Sequence, residues 1–216
     1  LCEFAVDYFL SLAYDIDSFD YRRSAGYRTE WTCAMLGDKY RSQFADMFNT
    51  YYNLSFQRKP ECMGFGALWT NDAHQREINA DTEFSFANYG EAERRLAEYT
   101  RISDMAERIM KQLPAQKRAC FFENVYYQVK GCELVNRKML YAQRNREYAT
   151  EHRAATDYWA KLSMQCHDSL ETITNQYSTM LGGKWNHIVS VKQQGTEAYY
   201  DRPELRTTRL LAGADM

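Results

Sequence analysis

Chain-breaking residues are scarce in this sequence, with 10 Gly and 3 Pro among 216 residues. A fold of many short strands needs Gly, Pro, Asn or Asp at every tight turn, so an all-β sandwich or barrel is not expected. No apolar run approaches the ~20 residues that span a bilayer. The formal net charge is −2, which argues against the concentrated basic face that phosphate binding demands. A nucleic-acid partner and a membrane are therefore not expected. The six cysteines, at positions 2, 33, 62, 120, 132 and 166, contain no C-x-x-C pair. The spacing that builds zinc or thiol-redox sites is missing.

The N-terminus also lacks something. Leu1-Cys2-Glu3-Phe4 has no initiator Met, no basic region and no signal-type apolar core. It reads as a domain taken from a longer polypeptide.

What is abundant is large and apolar. Hydrophobic residues make up 45% and aromatics 15%, including 17 Tyr, enough to bury a sizeable core. Few breakers and many large side chains suit long helices packed through Tyr, Phe and Met. An apolar segment from Phe4 to Ala13 stops at the acidic turn Asp15-Ile16-Asp17-Ser18. A second helix is expected over Tyr21–Leu36, ended by Gly37 in the left-handed position. Asp38 then caps a third, with the stripe Tyr40, Phe44, Met47 or Phe48, Tyr51 and Leu54. From about residue 60 to 90 the periodicity fails, and turn chemistry predicts an irregular excursion. Helical spacing returns at Glu91 with Leu96, Tyr99, Ile102, Ala106, Ile109 and Leu113. Two stronger stripes follow: Phe121, Val125, Val129, Cys132, Val135, Met139 and Ala142, then Trp159, Leu162, Cys166, Leu170, Ile173, Tyr177 and Met180. Joined near Thr150, they predict an antiparallel helical hairpin. From about 184 to 216 the chain reads as an exit segment. The expectation is one all-α domain over 1–216, a bundle of about five or six helices.

Catalytic constellations fail on spacing. A ferritin-like di-metal site needs Glu-x-x-His, but the residues three before His74, His152, His167 and His187 are Asn71, Ala149, Met164 and Lys184. Asp15, Asp17 and Asp20 resemble a calcium loop, yet Phe19 and Asp20 stand where that loop needs Asp or Asn and then Gly. Cys166 and His167 are adjacent on a helix and project about 100° apart, so they do not address one point. Glu147 and Glu151 are the pair that glycoside hydrolysis would call for, but Arg144, Arg146 and Arg153 flank them as surface ion-pair partners. There is no Gly-rich phosphate loop, G-x-S-x-G or H-E-x-x-H. No metal, cofactor or catalytic residue is expected in this segment. Most of the cysteines read as buried and unpaired.

Several strings are less generic. The segment Phe9-Leu10-Ser11-Leu12-Ala13-Tyr14-Asp15 resembles the apolar segment ending in an Ala-Trp-Asp turn found in glycoside hydrolase family 115, the xylan α-1,2-glucuronidases. The likeness continues through Tyr51-Tyr52-Asn53-Leu54 into Arg58-Lys59-Pro60-Glu61. It is strongest from Phe122 to Gln194, including Tyr126-Tyr127-Gln128-Val129-Lys130, Tyr141-Ala142-Gln143-Arg144-Asn145 and Gly182-Gly183-Lys184-Trp185-Asn186. Leu211-Ala212-Gly213-Ala214-Asp215-Met216 resembles the lead into the family's β-sandwich. The resemblance implies a helical domain that follows a catalytic barrel in an enzyme removing glucuronic acid, often 4-O-methylated, from xylan. It implies that the catalytic carboxylates lie in other domains. The expected partners are the neighbouring barrel and β-sandwich, xylan through the parent enzyme, and a second copy in a homodimer. Secretion or the periplasm is implied as the location. Surface aromatics Trp69, Trp185, Tyr199 and Tyr200 are candidates for carbohydrate or interdomain contact.

Overall fold

The computed structural model describes residues 3–17, 22, 24–63, 65–69, 76–78, 81–189 and 202–208. Among them are the helices α1 (Glu3–Tyr14), α2 (Ser24–Leu36), α3 (Arg41–Gln57), α4 (Glu91–Gln112), α5 (Ala115–Phe121), α6 (Tyr127–Thr150) and α7 (Thr156–Gly183), with a short hairpin of β1 (Phe65–Trp69) and β2 (Arg76–Ile78). The molecule is all-α, as its apolar periodicity predicts. The antiparallel hairpin, which pairs Phe65 with Ile78 and Trp69 with Arg76, is confined to the stretch where periodicity fails. Five- and three-residue strands are too short to show alternation.

The spine is α6 against α7. Side-chain bonds join Tyr127 to Thr174, Ser163 to the Lys138 carbonyl and Asn145 to the Thr156 carbonyl. Partner numbers fall on α7 as they rise on α6, which fixes the antiparallel sense. Helices of 24 and 28 residues are about 36 and 42 Å long at 1.5 Å per residue. Onto α6 packs α4, then α3 on α4, α2 on α3 and α1 on α2. Phe44, Met47, Tyr99, Ile102, Ala106, Phe121 and Val125 are fully buried in the main core. They belong to the stripes read from the sequence.

Three local differences have physical causes. Asp38 does not cap α3; it lies in a 3₁₀ turn, Asp38–Tyr40, with no side-chain cap bond, and its carboxylate instead pairs with Arg41. Gly37 has φ +91°, as a turn at that point requires. The rod from Ala115 to Thr150 is not uniform: Phe122–Tyr126 form a π turn. The extra residue accommodated there shifts the buried face between Phe121 and Val129, and apolar spacing alone does not mark it. The last helix ends in a reversal in which Met180 is extended and Leu181, Gly182 and Gly183 have positive φ. The expected start of α2 at Tyr21 lies outside the described residues; α2 is described from Ser24.

Candidate functional site

The recognisable strings prove to be joints. Arg58 leaves the helical path just after α3, with φ −157° and ψ 123°. Its guanidinium donates twice to the Cys62 carbonyl at 3.1 and 2.8 Å and pairs with Glu83 at 2.9 Å. The cation at the α3 C-terminus is therefore a different residue, Arg95, which is 3% exposed. It donates to the Leu54 carbonyl at 2.9 Å, the Arg58 carbonyl at 2.7 Å and Asn136 Oδ1 at 2.7 Å. Phe84 lies against the guanidinium at 4.6 Å. Burial lowers the arginine's pKa, yet a guanidinium stays charged, and it donates to main-chain carbonyls where α3 ends.

Gln143 and Asn145 staple irregular chain to α6 in the same way. Gln143 Oε1 accepts from the Thr82 amide and hydroxyl at 2.9 and 2.8 Å, and its amide nitrogen donates to the Phe84 carbonyl. Asn145 donates to the carbonyls of Thr156 and Arg206 and accepts from the Arg206 amide at 2.7 Å. The stretch 202–208 thus lies on the end of the α6–α7 hairpin, with the Thr208 amide on Asp157. A cleft of about 620 Å³ opens there between Arg146, His152 and Leu205–Thr207. Its arginines are already engaged: Arg146 with Asp81 and the Glu204 carbonyl, Arg206 with Glu204.

The carboxylates that could suggest hydrolysis are tied in the same manner. Glu147 pairs with Arg144 at 3.6 Å and Glu151 with Arg153 at 2.5 Å. At Cys166, burial pushes the thiol up to about 11, so it stays protonated where a nucleophile needs a thiolate. Beside it, His167 is lowered by burial and by Lys138. No group of three or more metal-ligating side chains occurs among the described residues. Cys33, Cys62, Cys120, Cys132 and Cys166 are free thiols.

Of the aromatics singled out from sequence, Tyr199 and Tyr200 lie outside the described residues, and only the backbone of Trp69, in β1, is described. Trp185 is half-buried just past the α7 reversal. Lys184 Nζ lies over its ring at 4.5 Å, and its indole N–H is buried without a hydrogen-bond partner.

Among the described residues, several exposed large apolar side chains cluster on and just beyond α1. Phe4 and Tyr8 face inward, packing on Tyr27 and Trp31, while Tyr27 donates to Asp7 and bonds Ser11 at 3.0 Å. The opposite stripe is also apolar: Val6 is 51% exposed, Phe9 65%, Leu10 58% and Tyr14 95%, with Ile16 beyond at 71%. A helix apolar on both faces normally has neighbours on both. Sequence reading found the segment but not that one side stays open, because a helical stripe does not reveal how many partners the bundle supplies.

Comparison with known proteins finds likeness to one family. The profile of Glycosyl hydrolase family 115 matches residues 1–62, which hold α1 to α3 and the Arg58-Lys59-Pro60-Glu61 string. A solved family 115 4-O-methyl-α-glucuronidase, described as specific for decorated arabinogalactans, superposes with a TM-score of 0.81 at 25% identity. The match covers 99% of this chain and 26% of that one, so the chain spans about a quarter of that enzyme's length. No curated protein sequence matches the chain. The profile match over the first 62 residues and the structural likeness along nearly the whole length make this chain similar to members of glycosyl hydrolase family 115.

Proposed function

We propose that the chain is a non-catalytic helical support within an α-glucuronidase, a single domain that holds the enzyme's other parts together. The observation that carries this is the open apolar stripe of α1, Val6, Phe9, Leu10 and Tyr14, on a helix already packed along its other side. The chemistry of the described residues supports the same reading. The Glu147 and Glu151 carboxylates are paired with arginines and the Cys166 thiol is protonated, so neither acts as a poised acid, base or nucleophile. The parent activity would be release of glucuronic acid or its 4-O-methyl form from a decorated polysaccharide. Xylan is what the sequence resemblance implies; the solved relative is described as acting on decorated arabinogalactans. Partners would be the catalytic barrel and β-sandwich of the same polypeptide, and the location secreted or periplasmic, as for that class of enzyme. Among the described residues no helix is long and apolar enough to cross a membrane.

The test compares the 216-residue chain with a longer polypeptide that carries it, assayed for uronic acid release from glucuronoxylan and from decorated arabinogalactan. The expected outcome is release by the longer protein and none by the chain alone. Turnover by the chain alone would sink the reading. Substituting Phe9→Ser and Leu10→Ser should lower the longer protein's thermal stability and leave the chain's own melting temperature within about 2 °C, since such exposed positions contribute roughly ±0.5 kcal/mol to the fold.

A further inference from the structure

Beneath α1 lies a second feature that the support role does not use. A partly enclosed cavity of about 50 Å³ sits between α1, α2, α3 and the π turn. Its walls are aromatic, Phe4, Trp31 and Tyr52 among them, and its polar groups come from Arg28, Asn124 and Gln128. The Arg28 guanidinium lies 4.0 Å from the centroid of the Tyr52 ring. Its Nε is buried and has no hydrogen-bond partner, and no carboxylate among the described residues pairs with it.

Arg28 is half-buried, but a buried N–H donor without an acceptor is costly, and native structures give such groups a partner. Here the ring face of Tyr52 offsets part of the charge but accepts no N–H bond in the guanidinium plane. The missing partner is an acceptor, and a guanidinium is matched best by a planar anion that takes two parallel N–H bonds. Space sets the size. At about 10–15 Å³ of such volume per water, the cavity holds roughly three to five non-hydrogen atoms. The aromatic walls suit a carbon substituent on the side away from Arg28, and the Asn124 amide nitrogen is committed to the Cys120 carbonyl at 3.0 Å, which leaves Arg28 as the group to hold the anion.

We infer that this cavity binds a small monocarboxylate of formate or acetate size, its carboxylate on Arg28 and its carbon against the aromatic wall. The test is titration of the chain with sodium acetate against sodium chloride at constant ionic strength. It is followed by calorimetry and by the indole N–H resonance of Trp31. Saturable binding is expected with a dissociation constant on the order of 1 mM, as the small number of ligand atoms allows. Formate should bind comparably, and butyrate at least 10-fold more weakly because it does not fit. Arg28→Gln should abolish saturation while the helical circular dichroism is kept. Should that variant fail to fold, Asn124→Asp decides, because it supplies an internal carboxylate and should displace acetate. Absence of saturation in the unsubstituted chain overturns the inference. So does a response to acetate no different from chloride, or acetate affinity retained in either folded variant.

Discussion

Arg95 shows how far one side chain can organise this bundle. It ties the end of α3, the middle of α6 through Asn136, and the Phe84 stretch into one joint. Replacing it with Met should cost about 3 kcal/mol, because two main-chain carbonyls and the Asn136 oxygen lose charge-assisted donors. For a chain of this size that corresponds to a fall in melting temperature of roughly 6–12 °C by calorimetry. Glu133 gives a pH-dependent counterpart. It is 3% exposed and accepts from Lys130 at 2.7 Å and Arg137 at 2.8 Å. Burial opposes its charge, but the two cations outweigh it, and the carboxyl is held below its ordinary 4.5. The unfolded chain therefore takes up this proton at higher pH than the folded one. The stabilisation is complete above pH 4.5 and is lost as pH falls through the folded value. Urea denaturation between pH 7 and 3 should show this loss, and Glu133→Gln should remove the dependence while costing about 2 kcal/mol at pH 7. Neither residue was legible in the sequence. Both sit in charged surroundings on helices where a solvated face is the ordinary reading, and only the meeting of α4 with α6 buries them.

Helical elements, by contrast, were legible wherever an apolar stripe ran for three or more turns. Leu96, Tyr99, Ile102, Ala106 and Ile109 recur at helical spacing and are all buried on α4. What spacing missed were the places where the backbone changes its own geometry: the 3₁₀ turn before α3, the π turn at Phe122–Tyr126 and the hairpin. None of the three leaves a run of apolar spacing long enough to mark it. The exit from α7 was expected at about residue 184, but the backbone leaves the helical path already at Met180. Leu181 holds φ +54° while 59% exposed. A branched side chain in the left-handed region is strained by roughly 1 kcal/mol or more, which glycine does not suffer. Leu181→Gly should therefore leave the fold unchanged and raise stability by about 1 kcal/mol in thermal or urea denaturation. A loss of stability would mean that the Leu181 side chain makes contacts worth more than the strain.

At the scale of the whole molecule, local stability should follow the packing order. α6 lies at the centre, against both α4 and α7, and its buried residues contribute to the three core clusters. α1 lies at the periphery and packs on α2 alone among the major contacts. Half of its apolar surface contributes nothing to folding while it stays in water, since burial is the source of roughly 25 cal/mol per Å². Opening α1 away from α2 therefore exposes little beyond Phe4 and Tyr8, whereas opening α6 dismantles the core. Amide exchange of the isolated chain should consequently divide the molecule. Protection should approach the global unfolding free energy for Val125–Ala142 and be slight for Ala5–Tyr14. In a longer polypeptide where another domain covers Val6, Phe9, Leu10 and Tyr14, the protection of α1 should rise by at least 10-fold while that of α6 changes little. Equal protection of α1 in the two contexts would place its apolar stripe in water in both, and would remove the reason to propose that face as a seam with other domains.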